Sequence, residues 1–452
     1  MNNFCWGYFM HVAVIGSGVS GLSAAWLLSK RHRVVLYEKD DRLGGHANTQ
    51  LFEIDGAELA ADTGFLVYND LNYPNLSALF RYLDIATKAS DMSFAASLDG
   101  GGFEYSGSSL GGMVAQKSNL LRRRFWTMFR DILKFYRDAP RAVADPATAN
   151  LSLGDFLERE NYSTSFRDDH LLPMGAAIWS MSRRGMLDFP LAVFVRFCAN
   201  HGLLKLSGRP LWRTVVGGSM HYVERLADAI SGEVRLNTGV ARINRTARGV
   251  HITDRQGHAE DFDAVVVATH ADQALKLLGD ASFYERKLLG DIGYQRNIAI
   301  LHTDETLMPK RRKCWASWNY IQSGGEEEVV CVTYWLNKLQ QLDTDKNVFV
   351  TLNPTEPPRD GTIIRSFLYD HPVYDEAAVA AQNQLWRLQG QNRTWFCGAH
   401  FGYGFHEDGL QAGLAVAEAL GDVRRPWACD NESERINMGP PADRQAPLEA
   451  AE

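Results

Sequence analysis

The chain has 452 residues, 45% apolar and 22% charged, with a net charge of −7. That length asks for more than one core, and the acidic balance argues against nucleic acid as the main partner, because phosphate backbones need a basic face. Six cysteines are scattered without a C-x-x-C pair and no H-E-x-x-H spacing occurs, so we expect reduced thiols in a cytosolic protein and no metal.

Residues 1–9 carry neither the basic n-region nor the apolar h-region of a signal peptide and read as a loose arm or an upstream extension of the reading frame. No apolar run approaches the length of a membrane span. The first strong pattern is His11 to Leu28. An apolar run, Val12 to Ile15, leads into Gly16-Ser17-Gly18-Val19-Ser20-Gly21 and then into residues with helical spacing. A second β-like run, Arg33 to Tyr37, ends on Glu38. Strand, G-x-G-x-x-G, helix and a later acid together predict a dinucleotide site. Gly16 permits the tight turn, Gly18 lets backbone N–H groups approach a pyrophosphate, and Gly21 lets the helix pack on the strand. The helix N-terminus faces the diphosphate, and Glu38 accepts from the ribose hydroxyls, which disfavours a 2′-phosphate. The fingerprint alone leaves FAD and NAD both open.

Asp40 to His46 follows, with Arg42 and the pair Gly44-Gly45, then Asp62-Thr63-Gly64-Phe65. The order G-x-G-x-x-G, E, R-x-G-G, D-x-G resembles the amine-oxidase-type flavoproteins, which include monoamine and polyamine oxidases, protoporphyrinogen oxidase and carotenoid desaturases. Gly217-Gly218-Ser219, Leu236 to Val240, Asp263 to Thr269 and Phe396 to Leu410 resemble later segments of that family. The resemblance implies non-covalent FAD held by Gly16, Ser17, Gly18, Val19, Ser20, Gly21, Glu38, Lys39, Arg42, Gly44, Gly45, His46, Thr63, Gly64, Phe65, Val240, Ala268, Gly398, Glu407, Asp408, Gly409 and Leu410. It places Arg42 on the phosphates and a backbone N–H of Gly409 or Leu410 against the flavin.

The implied fold is α/β: a doubly wound, Rossmann-like FAD domain (10–70, 210–275, 390–425) with a discontinuous mixed-sheet substrate domain (71–209, 276–389). Segments such as Asn297 to Leu301 and Asn347 to Leu352 read as strands of that second sheet. The acidic tail, 426–452, reads as flexible.

Strings such as Asn200-His201-Gly202-Leu203-Leu204, Thr333-Tyr334-Trp335-Leu336-Asn337 and Gly404 to Gly409 resemble a narrower bacterial group of FAD/NAD-binding oxidoreductases. That group is similar to the N-terminal region of plant cyclopropane-fatty-acid synthases and is often associated with lipid methyltransferases. It implies an apolar or lipid substrate and a lipid methyltransferase partner. Tyr403, Phe405, Trp318 and Tyr334 are the substrate candidates, and His400 and His406 the catalytic ones. Most of the large aromatics in the second domain, Trp179, Trp315, Tyr320, Trp335 and Phe349 among them, read as core. The lysine that relatives use near the flavin has no counterpart near Asn297, which weakens an oxidase reading. Dehydrogenation of an acyl chain is therefore the expected activity; a peroxide-forming amine oxidase and a non-catalytic flavoprotein partner are the alternatives. Arg122 to Arg137 mixes bases with aromatics and reads either as a helix suited to anionic headgroups at the inner membrane or as a solvated helix with its aromatic side in the core. Lys310 to Lys313 is a second basic cluster.

Overall fold

The computed structural model describes residues 9–107, 110–148, 151–179, 181–205, 208–322 and 330–440. Strand β1 (His11–Ile15) runs into helix α1 (Val19–Leu28), and the chain returns as β2 (Arg33–Tyr37). Helix α2 (Pro74–Tyr82) precedes the antiparallel pair β3 (Phe94–Leu98) and β4 (Phe103–Ser106). The helices that follow include α3 (Arg123–Ala144), α4 (Leu172–Trp179) and α5 (Leu191–Asn200). The chain then re-enters the first sheet as β5 (Glu233–Arg235) and β6 (Ala264–Val267). It crosses back to form β7 (Tyr294–His302), β8 (Trp318–Ile321), β9 (Cys331–Trp335), β10 (Phe349–Leu352) and β11 (Ile363–Pro372). Strand β12 (Thr394–Phe396) and helix α6 (His406–Gly421) complete the fold.

The first sheet is parallel throughout, in the order β5-β2-β1-β6-β12. Val14 on β1 sits between Leu36 on β2 and Val266 on β6. Both faces of the sheet are covered, which explains why β1 and β6 are apolar runs without alternation. Every residue of α1 is buried, matching a helix that is apolar on all sides. It is wedged against the sheet, α6 and the helix Met220–Asp228. A three-stranded antiparallel sheet over 240–262 lies near the other side of β1.

The second sheet is mixed, in the order β11-β7-β10-β9-β8-β3-β4. Its pairs are antiparallel except β8 with β3. Each sheet organises its own apolar core. The strands of the first sheet come from three stretches of sequence and those of the second from two, so both units are discontinuous.

Of the expected N-terminal arm, residues 1–8 lie outside the described residues, and Phe9 is exposed. The tail departs from expectation. Residues 426–440 are not loose: Trp427 stacks on Trp26 at 5.9 Å, Ile436 is buried, and Arg435 reaches the buried carboxylate of Asp408. Residues 441–452 lie outside the described residues.

Candidate cofactor and substrate site

The turn after β1 follows from its glycines. Gly16 has φ +97°, its N–H donates to Tyr37 O at 2.8 Å, and a Cβ would meet Ala268 O at 2.9 Å. Gly21 lets α1 lie on that turn, since a Cβ there would fall 1.8 Å from Gly16 O. Gly18 differs: a Cβ would meet nothing within 4 Å. It faces a cavity of about 740 Å³ that runs from this turn to the second sheet.

One end of the cavity is polar. It is lined by Gly16, Ser17, Gly18, Val19 and Ser20, by Glu38, Lys39, Arg42, Gly44 and Gly45, and by Val240 and Ala268. Glu38 Oε2 accepts from the N–H of Ser17 (2.9 Å) and its hydroxyl (2.5 Å), and Oε1 accepts from Asp40 N–H (3.0 Å). The turn thus fixes the carboxylate while leaving lone pairs for further donors.

His46, Thr63, Gly64, Phe65 and Gly398 line the middle, with His400 and His406. His46 stacks on Tyr369 (4.9 Å) beside His371 (5.6 Å) and His270 (6.2 Å), and His270 stacks on Tyr294 (4.5 Å). The far end is aromatic and aliphatic. Trp318 and Tyr334 face each other across β8 and β9, edge to face at 5.4 Å. Phe405 stacks on Phe197 at 5.0 Å, and Tyr403, Trp179, Trp212, Met174 and Ile178 extend the wall. Trp315, Trp335 and Phe349 pack elsewhere, in a small cluster with Met308, and Tyr320 lies in the second core.

Several predicted cofactor residues have other roles. Arg42 is turned onto its own loop, donating to the carbonyls of Leu43, Gly45 and Ala47 at 2.9–3.4 Å. Glu407 is fully buried, away from the cavity wall. It accepts from Asn75 N–H and side chain and from Leu76 N–H, capping α2. Asp408 is also fully buried, accepting from Phe405 N–H and pairing with Arg435. Gly409 is a packing glycine, because a Cβ would come within 2.9 Å of Val19 and Ser20 on α1, and its N–H already donates to Phe405 O. Leu410 is core. The unpaired N–H groups of α6 belong to its first residues, upstream of Gly409. His406 is engaged as well: Tyr222 hydroxyl holds its Nε2, and its ring stacks on Phe65 at 3.9 Å.

His46, His201, His270, His371, His400 and His406 all line the cavity. Burial lowers the pKa of each, to about 4 for His371 and about 3 for His201, His400 and His406. The rings are neutral at physiological pH. Their folded pKa values lie below the unfolded value near 6.5, so this stability is full above that pH and is lost on acidification. Each deeply buried ring is expected to cost about 1 to 2 kcal/mol by pH 5. Melting temperatures at pH 7.5 and 5 check this: His400→Gln should lose less on acidification than the wild type, and an equal loss overturns it.

The cavity also fits a long cofactor with a polar and a flat end. His46 Nε2, His201 Nε2, His400 Nε2, Trp179 Nε1, Trp318 Nε1 and Tyr374 Oη line it or reach it, and each is buried without a hydrogen-bond partner among the described residues. No cysteine is among the described lining residues.

The model of the flavin containing amine oxidoreductases matches residues 19–368. The chain belongs to that family. Its cofactor is FAD. A protein of Mycobacterium tuberculosis (strain H37Rv) assigned as a flavin-containing monoamine oxidase is 28% identical over 258 residues, 55% of this chain and 54% of that one. The match therefore spans about half of that relative. Two solved structures share the fold. Putrescine oxidase bound to putrescine has a TM-score of 0.64 and 16% identity, over 91% of this chain and 99% of that one. The CLA-producing fatty acid isomerase from P. acnes has a TM-score of 0.63 and 15% identity, over 91% and 98%. At these identities the likeness is one of fold.

Of the residues expected from the sequence, Gly16 to Ser20, Glu38, Lys39, Arg42, Gly44 and Gly45 line the polar end, and Trp318, Tyr334, Tyr403 and Phe405 line the far end. Sequence reasoning missed Phe197, His201, Trp212, Tyr369 and His371 as lining residues. The string Asn200 to Leu204 was a signal of resemblance but carried no role.

Proposed function

We propose that this flavoenzyme dehydrogenates an uncharged, apolar substrate, with a fatty-acyl chain as the class that fits best. The observation that carries this reading is the far end of the cavity. Its wall is built from Met174, Ile178, Trp179, Phe197, Trp318 and Tyr334. Among the described lining residues the acids are Glu38, Asp40 and Asp370. The first two are at the ADP end, and Asp370 pairs with Arg296 at 3.1 Å. No carboxylate there faces the aromatic wall to receive an ammonium group. The described lining lysines are Lys39, just after β2, and Lys276, on the helix Ala271–Leu277. At the expected lysine position, Asn297 is buried, and its amide bonds Gln295 O and Asn353.

FAD supplies the two-electron acceptor for removing hydrogen from carbon. The protein holds the chain, excludes water and accepts the proton that leaves the neighbouring carbon. His400 suits the role of proton acceptor because it is neutral, lines the cavity and has an unpartnered Nε2. The fatty acid isomerase of like fold, named for a fatty acid, is compatible with this reading. The relatives named as amine oxidases favour the second reading, oxidation of an amine with formation of hydrogen peroxide.

Anaerobic flavin bleaching separates the two. Acyl phospholipids or fatty acids, and not a panel of amines, are expected to bleach the bound flavin. Bleaching by amines alone overturns the proposal. His400→Ala should keep its flavin and slow lipid-driven bleaching by about 10²-fold. An unchanged rate removes His400 from the mechanism.

A further inference from the structure

Two basic stretches, 122–124 and 310–313, are far apart in sequence and meet on one tight turn. Arg122 Nη1 donates to Gly102 O at 2.7 Å, and Arg311 Nη1 donates to Gly101 O at 2.9 Å. The Lys310 side chain lies against Gly101. The turn Arg312–Cys314 packs on β4. Lys310, Arg312, Lys313 and Arg123 are all exposed.

This basic face continues along α3. Phe125, Met128, Ile132 and Phe135 bury one side of that helix. The other side exposes Arg123, Trp126, Arg130, Leu133 and Arg137 at three- and four-residue spacing. The preceding turn adds Leu120 and Leu121, the latter 91% exposed. Trp126 Nε1 donates to Leu120 O at 2.8 Å, which ties the exposed indole to that turn.

The acids on these elements are accounted for. Asp99 and Asp169 pair with Arg124, Asp131 with Arg130, Asp138 with Arg137, Glu305 with Arg312 and the buried Glu104 with Arg311. Arg123, Lys310 and Lys313 have no acidic partner among the described residues. Helix α3 also has no acid in its first turn, where Arg123 and Arg124, with Arg122 at the N-cap, oppose the helix dipole. Local stability therefore gives no reason for Arg123, which has no acidic partner among the described residues.

We propose that this composite face docks the protein on an anionic phospholipid surface. The basic side chains meet the headgroups, while Trp126, Leu120 and Leu121 enter the interface. A protein of net charge −7 is repelled elsewhere on its surface, so the patch also sets the orientation. Helix α3 packs on α5, whose Phe197 lines the cavity. No described helix is long and apolar enough to cross a membrane, so the contact is peripheral. The inference does not depend on the substrate proposed above, because vesicle binding is read without turnover.

The test is co-sedimentation of the flavin-loaded protein with vesicles. Vesicles containing phosphatidylglycerol should bind it at least about tenfold better than phosphatidylcholine alone, and high salt should weaken binding. Arg123→Glu with Lys313→Glu, and separately Leu121→Ser with Trp126→Ser, should each lower binding about tenfold or more and leave flavin content unchanged. Equal binding to both vesicles, binding to neither, or wild-type binding by both variants overturns the proposal. Displacement from the vesicles by duplex DNA at equal phosphate also overturns it, in favour of a nucleic-acid surface.

Discussion

Gly18→Val is expected to fold and lose its flavin, whereas Gly21→Val is expected to lose the fold. The two glycines sit three residues apart in one motif, but their surroundings differ. A Cβ on Gly21 would fall 1.8 Å from Gly16 O and 3.1 Å from Ala268 Cβ. Neither neighbour is a flexible side-chain tip, so α1 would have to lift off β1 and β6. That costs on the order of 3 kcal/mol or more, because the helix is buried on every side. Gly18 has φ −62°, which any residue adopts, and open space where its Cβ would point. Valine there costs the apoprotein about 1 kcal/mol at most, through a poorer N-cap. Its methyl groups would occupy the approach to the helix N-terminus that a pyrophosphate needs. Melting of the apoprotein and flavin absorbance per chain measure the two effects separately. We expect near-normal melting with flavin binding weakened more than about 100-fold for Gly18→Val. Full flavin content in Gly18→Val would mean that the diphosphate is not held at this turn.

The same contrast explains what the sequence could reveal. The polar end is legible because Gly16 to Gly21 and Glu38 belong to one strand-turn-helix unit, so their spacing is a local constraint. The substrate end is assembled from α4, α5, β8, β9, β11 and the loop before α6, with no fixed spacing among them. Trp179 and Trp315 look alike in sequence, yet the first lines the cavity and the second packs against Trp335. Only the course of the chain separates them. Glu407 misleads for a different reason. An acid near a flavin-closing helix is chemically apt, but the α2 N-terminus offers it equally good partners. The tail misleads because its composition is polar, and its few anchors, Trp427, Arg435 and Ile436, act through burial that composition does not register.

One of those anchors carries the second large effect. Arg435→Met is expected to destabilise the protein by about 3 to 5 kcal/mol at neutral pH. Asp408 is fully buried near the start of α6, and burial raises its pKa while Arg435 and the N–H of Phe405 pull it down. Arg435 Nη1 lies 3.4 Å from Asp408 Oδ1, its other amino group donates to Asn72 O, and its backbone N–H donates to Gln411. Replacing it leaves a buried carboxylate without its cation. Asp408 would then titrate still further above its unfolded value near 3.9, so the penalty is full at high pH and shrinks as falling pH protonates the group. The deficit in melting temperature should therefore be smaller at pH 5 than at pH 8. Adding Asp408→Asn should recover part of it, as coupling in a double-mutant cycle. A deficit independent of pH and unrelieved by Asp408→Asn would reduce Arg435 to packing against Tyr73. The consequence reaches the site, because Asp408 supports the loop that carries Tyr403 and Phe405: a Cβ on Gly402 would come within 2.6 Å of its carboxylate. Loosening that carboxylate is expected to lower flavin retention in Arg435→Met even at temperatures where the fold persists, which ties the C-terminal tail to cofactor binding through one ion pair.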